Sequence, residues 1–132
     1  MSDFTARLCP GDPVSGVFGA FDDTNRPIGM LGFSRESRPK RAHIGNLWSM
    51  YVVPEFRNRG VGSALLDAAL SHAKGLGVLR QIVLGVTASN LAASSLYKSR
   101  GFQPFGFERD ALFVDGTYFD EEHLALHFDR DA

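Results

Sequence analysis

Hydrophobic residues run along this chain in short blocks whose period changes from strand-like to helical and back. Val17-Phe18-Gly19-Ala20-Phe21 lies within a strand-like segment from Ser15 to Asp22, and Ile28 to Ser34 forms a second. Between them Asp22-Asp23-Thr24-Asn25-Arg26-Pro27 is dense in turn formers, so the two segments are expected to pair as an antiparallel hairpin. From His43 to Val53 the β-branched and aromatic residues crowd together with few polar side chains, as in a central strand covered on both faces, and Pro54 ends it. From Val61 to Lys74 the period becomes helical. Ser63, Asp67, Ser71 and Lys74 form one narrow polar stripe, Leu65, Leu66, Ala68, Ala69, Leu70 and Ala73 cover the rest, and Gly75 and Gly77 signal the stop. Gln81 to Val86 reads as the next strand. Ser89 or Asn90 can cap a second helix to about Arg100, with Gly101 beyond its end. Ala111 to Val114 and Thr117 to Phe119 flank Asp115-Gly116, the strongest hairpin signal in the chain, and Leu124 to Phe128 is a last strand. A strand, helix, strand, helix order implies parallel pairing in the middle. The predicted fold class is therefore α/β: a mixed sheet, antiparallel at its start and end, with two main helices and a C-terminal hairpin.

Composition narrows this picture without changing it. At 132 residues the chain reads as a single domain over residues 1–132, and 44% hydrophobic with 22% charged residues is ordinary for a globular protein. A net charge of −1 argues against a whole-domain field for nucleic acid or an anionic membrane, so any polyanion site must be local. The single cysteine, Cys9, has no partner within the chain and reads as idle. The start has no basic segment followed by an apolar run, and no apolar stretch approaches the ~18 residues of a membrane span, so a soluble cytoplasmic protein is expected. Arg35, Arg38, Lys40 and Arg41 read as a solvated turn or as a weak site for an acidic substrate. His123 and His127 share a strand face but lack a third ligand, so no metal is expected. The acidic stretch Asp120-Glu121-Glu122 reads as a solvated loop or as an attractor of a cationic acceptor.

Candidate chemistry concentrates at Arg57-Asn58-Arg59-Gly60-Val61-Gly62, between a buried strand and an amphipathic helix. At a helix start free amides and the positive dipole end converge, and glycines let a phosphate approach the backbone. Arg57 and Arg59 add charge-assisted donors. Taken alone, two glycines before a helix also fit a plain tight turn. There is no Gly-x-Gly-x-x-Gly and no Gly-Lys-Ser or Gly-Lys-Thr, so neither the dinucleotide fingerprint nor the P-loop applies.

The longer stretch from Tyr51 to Leu66 closely resembles the acetyl-CoA signature of the GNAT superfamily of N-acetyltransferases: Gln or Arg-x-x-Gly-x-Gly or Ala after a strand. Asn90-Leu91-Ala92-Ala93-Ser94-Ser95-Leu96-Tyr97-Lys98-Ser99-Arg100-Gly101-Phe102 resembles the superfamily's second block, Asn-x-x-Ala-x-x-Leu-Tyr-x-x-x-Gly-Phe. The resemblance covers about Ile28 to Phe128. It implies a sheet splayed between the strands ending at Val53 and near Thr87, with acetyl-CoA as co-substrate in the split. The amides of Val52 and Val53 would pair with pantetheine, and Arg59, Gly60, Val61, Gly62, Ser63 and Ala64, flanked by Arg57 and Asn58, would hold the pyrophosphate. Asn90 would hydrogen-bond the cofactor arm. Asn90 and Tyr97, seven residues apart, would face one side of the helix.

The activity implied is direct transfer of acetyl to a primary amine of a small molecule or peptide through a ternary complex. An amide near Met50, Tyr51 or Val52 is the candidate oxyanion donor, and Tyr97 the candidate proton donor to the departing thiolate. Without the motif, Tyr97 reads as core. In the ribosomal-protein N-terminal acetyltransferases the strand before the second block reads Leu-Glu-Val-Arg-Ala-Ser-Asn, its Glu being a proposed base; here Leu84-Gly85-Val86-Thr87-Ala88-Ser89-Asn90 has glycine at that position. No strong base is expected in the split, which leaves proton removal to water wires or to a group elsewhere, such as Glu108 or Glu36. Family members commonly place a strand and one or two helices ahead of the first hairpin, for which Met1 to Val14 is too short. The chain is therefore expected to be an abbreviated member or to have its start upstream, with the acceptor face closed by a second subunit in a homodimer. The Phe-rich stretch from Phe105 to Phe119 is expected to line the acceptor pocket. The competing class is a catalytically weak acyl-CoA sensor or interaction module, favoured by Gly85 and disfavoured by Tyr97.

Overall fold

The computed structural model of the chain describes residues 4–11 and 15–128. In chain order their elements are β1 (Phe4–Leu8), β2 (Ser15–Asp22), β3 (Pro27–Arg35), β4 (Ile44–Val52), α1 (Val61–Leu76), β5 (Gln81–Thr87), α2 (Leu91–Ser99), β6 (Gln103–Val114) and β7 (Thr117–His127). They gather into two compact units that divide between Leu79 and Arg80.

The first unit is an antiparallel meander in which β1 pairs with β2, β2 with β3 and β3 with β4. The sequence reading omits β1, although its alternation is visible: Phe4, Ala6 and Leu8 are half-buried while Thr5 and Arg7 are exposed. Helix α1 turns Val61, Leu65, Leu66, Ala69, Leu70 and Ala73 inward. They join Phe18, Ile28, Leu31 and Phe33 in the buried core, and His72 sets its ring edge-on to Phe18 and Phe33 at 5.6 and 5.7 Å. Of the two glycines read as the stop signal, Gly75 lies within the helix and Gly77 follows its end. The helix ends where Gly77, at φ 73°, takes the left-handed conformation and donates its N–H to the Lys74 carbonyl.

Two turns of this unit are fixed by carboxylates. Asp22 accepts from the N–H and hydroxyl of Thr24 and from the N–H of Arg26, and these bonds, that to the Thr24 hydroxyl foremost, hold it below the ordinary aspartate range. Between β3 and β4, Glu36 accepts from Asn46 at 2.7 Å and stands 3.7 and 3.8 Å from Arg41 and Arg38. The Asn46 bond foremost holds Glu36 below its usual value. Arg35 donates to the Ala42 carbonyl. Arg35, Arg38 and Arg41 of the basic stretch are thus engaged in their own turn.

Strand β4 departs from expectation. Ile44, Gly45 and Leu47 are buried, but Trp48 and Tyr51 are 42% and 50% exposed, so its second half is not covered on both faces. Gly32 pairs with Trp48 and Met30 with Tyr51, which leaves Ser49 and Met50 opposite Leu31 in a bulge with Ser49 at φ 55°.

In the second unit β5 pairs antiparallel with β7, and β7 with β6. Ile82, Leu84 and Val86 of β5, Tyr97 of α2, Phe102 and Leu124 are buried. Strands β6 and β7 run well past the predicted hairpin arms. Asp120-Glu121-Glu122 is therefore no loop but strand interior, half-buried. Glu122 accepts from the Ser94 hydroxyl and lies 3.4 Å from Lys98, so its carboxylate faces α2.

Candidate functional site

The predicted cofactor residues of the first unit follow β4. The chain leaves Val53 in a single 310 turn, Pro54–Phe56, then passes through left-handed Asn58, at φ 63°, and Gly60, at φ 85°, into α1. Asn58 tolerates that region and Gly60 occupies it without a Cβ penalty. Gly60 is the N-cap of α1 and brings no side-chain bond, so nothing of its own caps the first turn. The Ala64 N–H already donates to the Gly60 carbonyl. The amides of Val61, Gly62 and Ser63 belong to the turn that has no carbonyl within the helix to bond, at its positive end. Gly62, Ser63 and Ala64 are half-buried and Gly60 is exposed.

Both arginines of the loop are exposed and held by aromatic neighbours. Arg57 donates from Nε to the Val52 carbonyl at 2.9 Å and lies 5.5 Å from the Tyr51 ring centroid, while Arg59 lies 5.0 Å from that of Phe56. Glu55, the acidic residue of this segment, is paired with Arg26 at 3.1 Å. The local field is left positive without any net basic charge on the chain.

One assignment needs correction. The Val53 N–H, expected to pair with pantetheine, donates to the Ile28 carbonyl at 2.9 Å. In an antiparallel ladder bonded and unbonded pairs alternate, so the next residue back, Val52 opposite Gly29, turns its N–H away from β3. Of the two amides, that of Val52 is the one β3 leaves open.

The second unit holds Asn90 and Tyr97. Asn90 is the N-cap of α2 and its Oδ1 accepts from the Ala93 N–H at 3.1 Å, as the capping signal predicts. Because a cap lies outside the helical residues, the two-turn spacing to Tyr97 does not set its direction. Tyr97 is 6% exposed, its ring edge-on to Phe102 at 5.8 Å. Burial raises the phenol above its ordinary value of 10.0, so it keeps its proton at neutral pH and remains a donor.

Sequence reasoning named Glu121, Glu108 and His123 separately and did not bring them together. His123 is not joined to His127; it stands against Glu108 and Glu121, at 3.1 and 3.6 Å. The signal available was strand alternation: had β7 been extended back through the acidic stretch, Glu121 and His123 would have fallen on one face.

The model of the acetyltransferase (GNAT) family matches residues 3–102. The chain therefore belongs to the GNAT acetyltransferase family. It is 29% identical over 98 residues to the L-amino acid N-acetyltransferase AaaT of Escherichia coli (strain K12), covering 74% of this chain and 60% of that protein. It is 31% identical over 93 residues to the mycothiol acetyltransferase of Salinispora tropica, covering 70% of this chain and 30% of that protein. The chain thus spans less than two thirds of these relatives. Among solved structures, a GNAT-family acetyltransferase from Streptococcus pneumoniae superposes with a TM-score of 0.82 at 26% identity, covering 89% of this chain and 70% of that one. A phosphinothricin acetyltransferase from Sinorhizobium meliloti, solved with acetyl-CoA, gives 0.79 at 23% identity, covering 88% and 62%. The α/β fold expected from the sequence is the GNAT fold. Among the described residues no helix is long and apolar enough to cross a membrane.

Proposed function

We propose that the chain is an acetyl-CoA-dependent N-acetyltransferase that moves acetyl directly to a primary amine in a ternary complex, and that it works in the cytoplasm as a homodimer. The observation that carries this reading is the start of α1: an exposed left-handed Gly60 cap without a side-chain bond, first-turn amides without helical partners, and Arg57 and Arg59 beside them. That chemistry suits a pyrophosphate. The loop from Arg57 to Ala64 takes this part, the Val52 amide serves the arm or the oxyanion, and Asn90 and Tyr97 serve the arm and the thioester sulfur. The buried, protonated phenol of Tyr97 favours an enzyme over an acyl-CoA sensor. Relatives named for L-amino acids and for mycothiol favour a small-molecule amine.

The test is the melting temperature with and without saturating acetyl-CoA. A ligand at a hundred times Kd adds ~2.7 kcal/mol to the folded state, which for a domain of this size raises Tm on the order of 10 °C. Such a rise, followed by thiol release with an amine panel, is the expected result. No rise ends the reading of the loop as a cradle.

A further inference from the structure

An amine that arrives as ammonium must lose a proton before its lone pair can attack, and position 85 of this chain offers no side chain to take it. The second unit nevertheless places a carboxylate there. Gly85 and Thr87 of β5 lie opposite His123 and Glu121 of β7, and Gly106 and Glu108 of β6 lie opposite the same two residues. Directly opposed residues project to one face of a sheet, here the face away from α2, since Glu122 faces the helix. A Cβ built on Gly85 would stand 2.7 Å from Glu121 Oε1 and 2.8 Å from its Cδ. The Glu121 carboxylate thus fills the volume that a side chain at 85 would take. It is 23% exposed, open enough for proton exchange. His123 Nε2 lies 3.6 Å from it on one side and 3.1 Å from Glu108 Oε1 on the other. The β5 residues on this face, Val83, Gly85 and Thr87, bring no charge, so among the described residues of this unit His123 and Glu108 are the titratable groups set against Glu121.

We propose that Glu121 is the general base of the acetyl transfer, delivered from β7 into the space left by Gly85, with His123 and Glu108 as positioning residues. The proposal rests on the N-acetyltransferase reading. In the reaction Glu121 Oε takes one proton from the ammonium, and the freed nitrogen lone pair forms the C–N bond as the C–S bond breaks. The second nitrogen proton goes to the thiolate by way of Tyr97, and Glu121 returns its proton to solvent. The products are the amide, CoA thiol and one released proton. Glycine at 85 is a condition of this arrangement, because any side chain there would have to displace the carboxylate.

The experiment measures CoA thiol release by the full chain with free L-amino acids and arylalkyl primary amines, then compares variants on the best-used amine. Glu121→Gln should lower kcat/KM on the order of 100-fold near neutral pH, with the acetyl-CoA shift in melting temperature kept. The deficit should narrow as pH approaches the ammonium value of ~10, where solution itself supplies neutral amine; a packing defect would not narrow. Returning a carboxylate from the other strand, in Glu121→Ala/Gly85→Glu, should recover much of the rate lost by Glu121→Ala. Activity should survive EDTA, although Glu108, Glu121 and His123 each offer one atom that could ligate a metal ion, all within 4.8 Å of one another. Four results overturn the proposal: an active Glu121→Gln, a deficit that does not change with pH, a relocated carboxylate that restores nothing, or loss of activity in EDTA. In each the wild type without chelator still binds acetyl-CoA and turns over, so the enzyme reading stands. A wild type with neither thermal shift nor thiol release overturns both.

Discussion

In the proposed reaction Tyr97 would serve packing and chemistry together. Its ring is buried edge-on to Phe102, and the same burial that stabilises the core keeps the phenol protonated. Tyr97→Phe keeps the ring and removes only the oxygen. It should lower kcat roughly 100-fold while leaving the acetyl-CoA dependence of the melting temperature nearly intact. A pH arm follows with a definite sign. The phenol holds its proton more tightly folded than unfolded, so its contribution is complete below the unfolded value of ~10 and is lost as pH rises from there through the folded value. Melting of wild type against Tyr97→Phe between neutral and strongly alkaline pH should show that decline in wild type alone. The motif made Tyr97 legible in the sequence. Glu121 was not, because its relation to Gly85 crosses two strands far apart in the chain, and no local pattern reports that a glycine on one strand holds space for a carboxylate on another.

At the scale of elements, periodicity gave the strands and helices where burial is one-sided and long. Helix α1 was legible because a narrow polar stripe and an apolar remainder repeat over its whole length, and β2 matched at both ends. Strand β6 was cut short because its residues are mostly exposed, and β7 because its half-buried middle is a run of acidic residues, which mimics a loop. The bulge at Ser49 and Met50 was invisible, since register is set by pairing and not by composition. The loop into α1 was singled out in the sequence by its glycines, and the backbone shows what one of them does. At Gly60, φ 85° is forced by the turn into the helix while the space around a Cβ is open. Gly60→Ala should therefore cost about 1–2 kcal/mol through backbone strain alone, read as a lower urea midpoint at unchanged m. It should also weaken acetyl-CoA binding, because a chain that escapes the strain moves the first-turn amides.

For the molecule as a whole, the β6–β7 hairpin is the surface that bears on the proposed homodimer. The β6–β7 hairpin carries Phe105, Phe107, Phe113 and Tyr118 at 62–64% exposure. Aromatic side chains bury ~150–250 Å² each, so four at this exposure offer on the order of 500 Å². That is a large part of the ~800 Å² per partner of a standard interface. Solvent-exposed rings in such number are costly to leave bare, and in the proposed homodimer a second copy of the chain would cover them on both partners at once through a two-fold contact. The mass in solution at micromolar concentration, by light scattering, should be twice the 14.5 kDa of the chain. Phe107→Glu should shift it toward the monomer by burying an unpaired charge at the contact. A strictly monomeric wild type would sink the dimer and return the rings to the acceptor, where the same Phe107→Glu should raise KM for an apolar amine and leave acetyl-CoA binding alone.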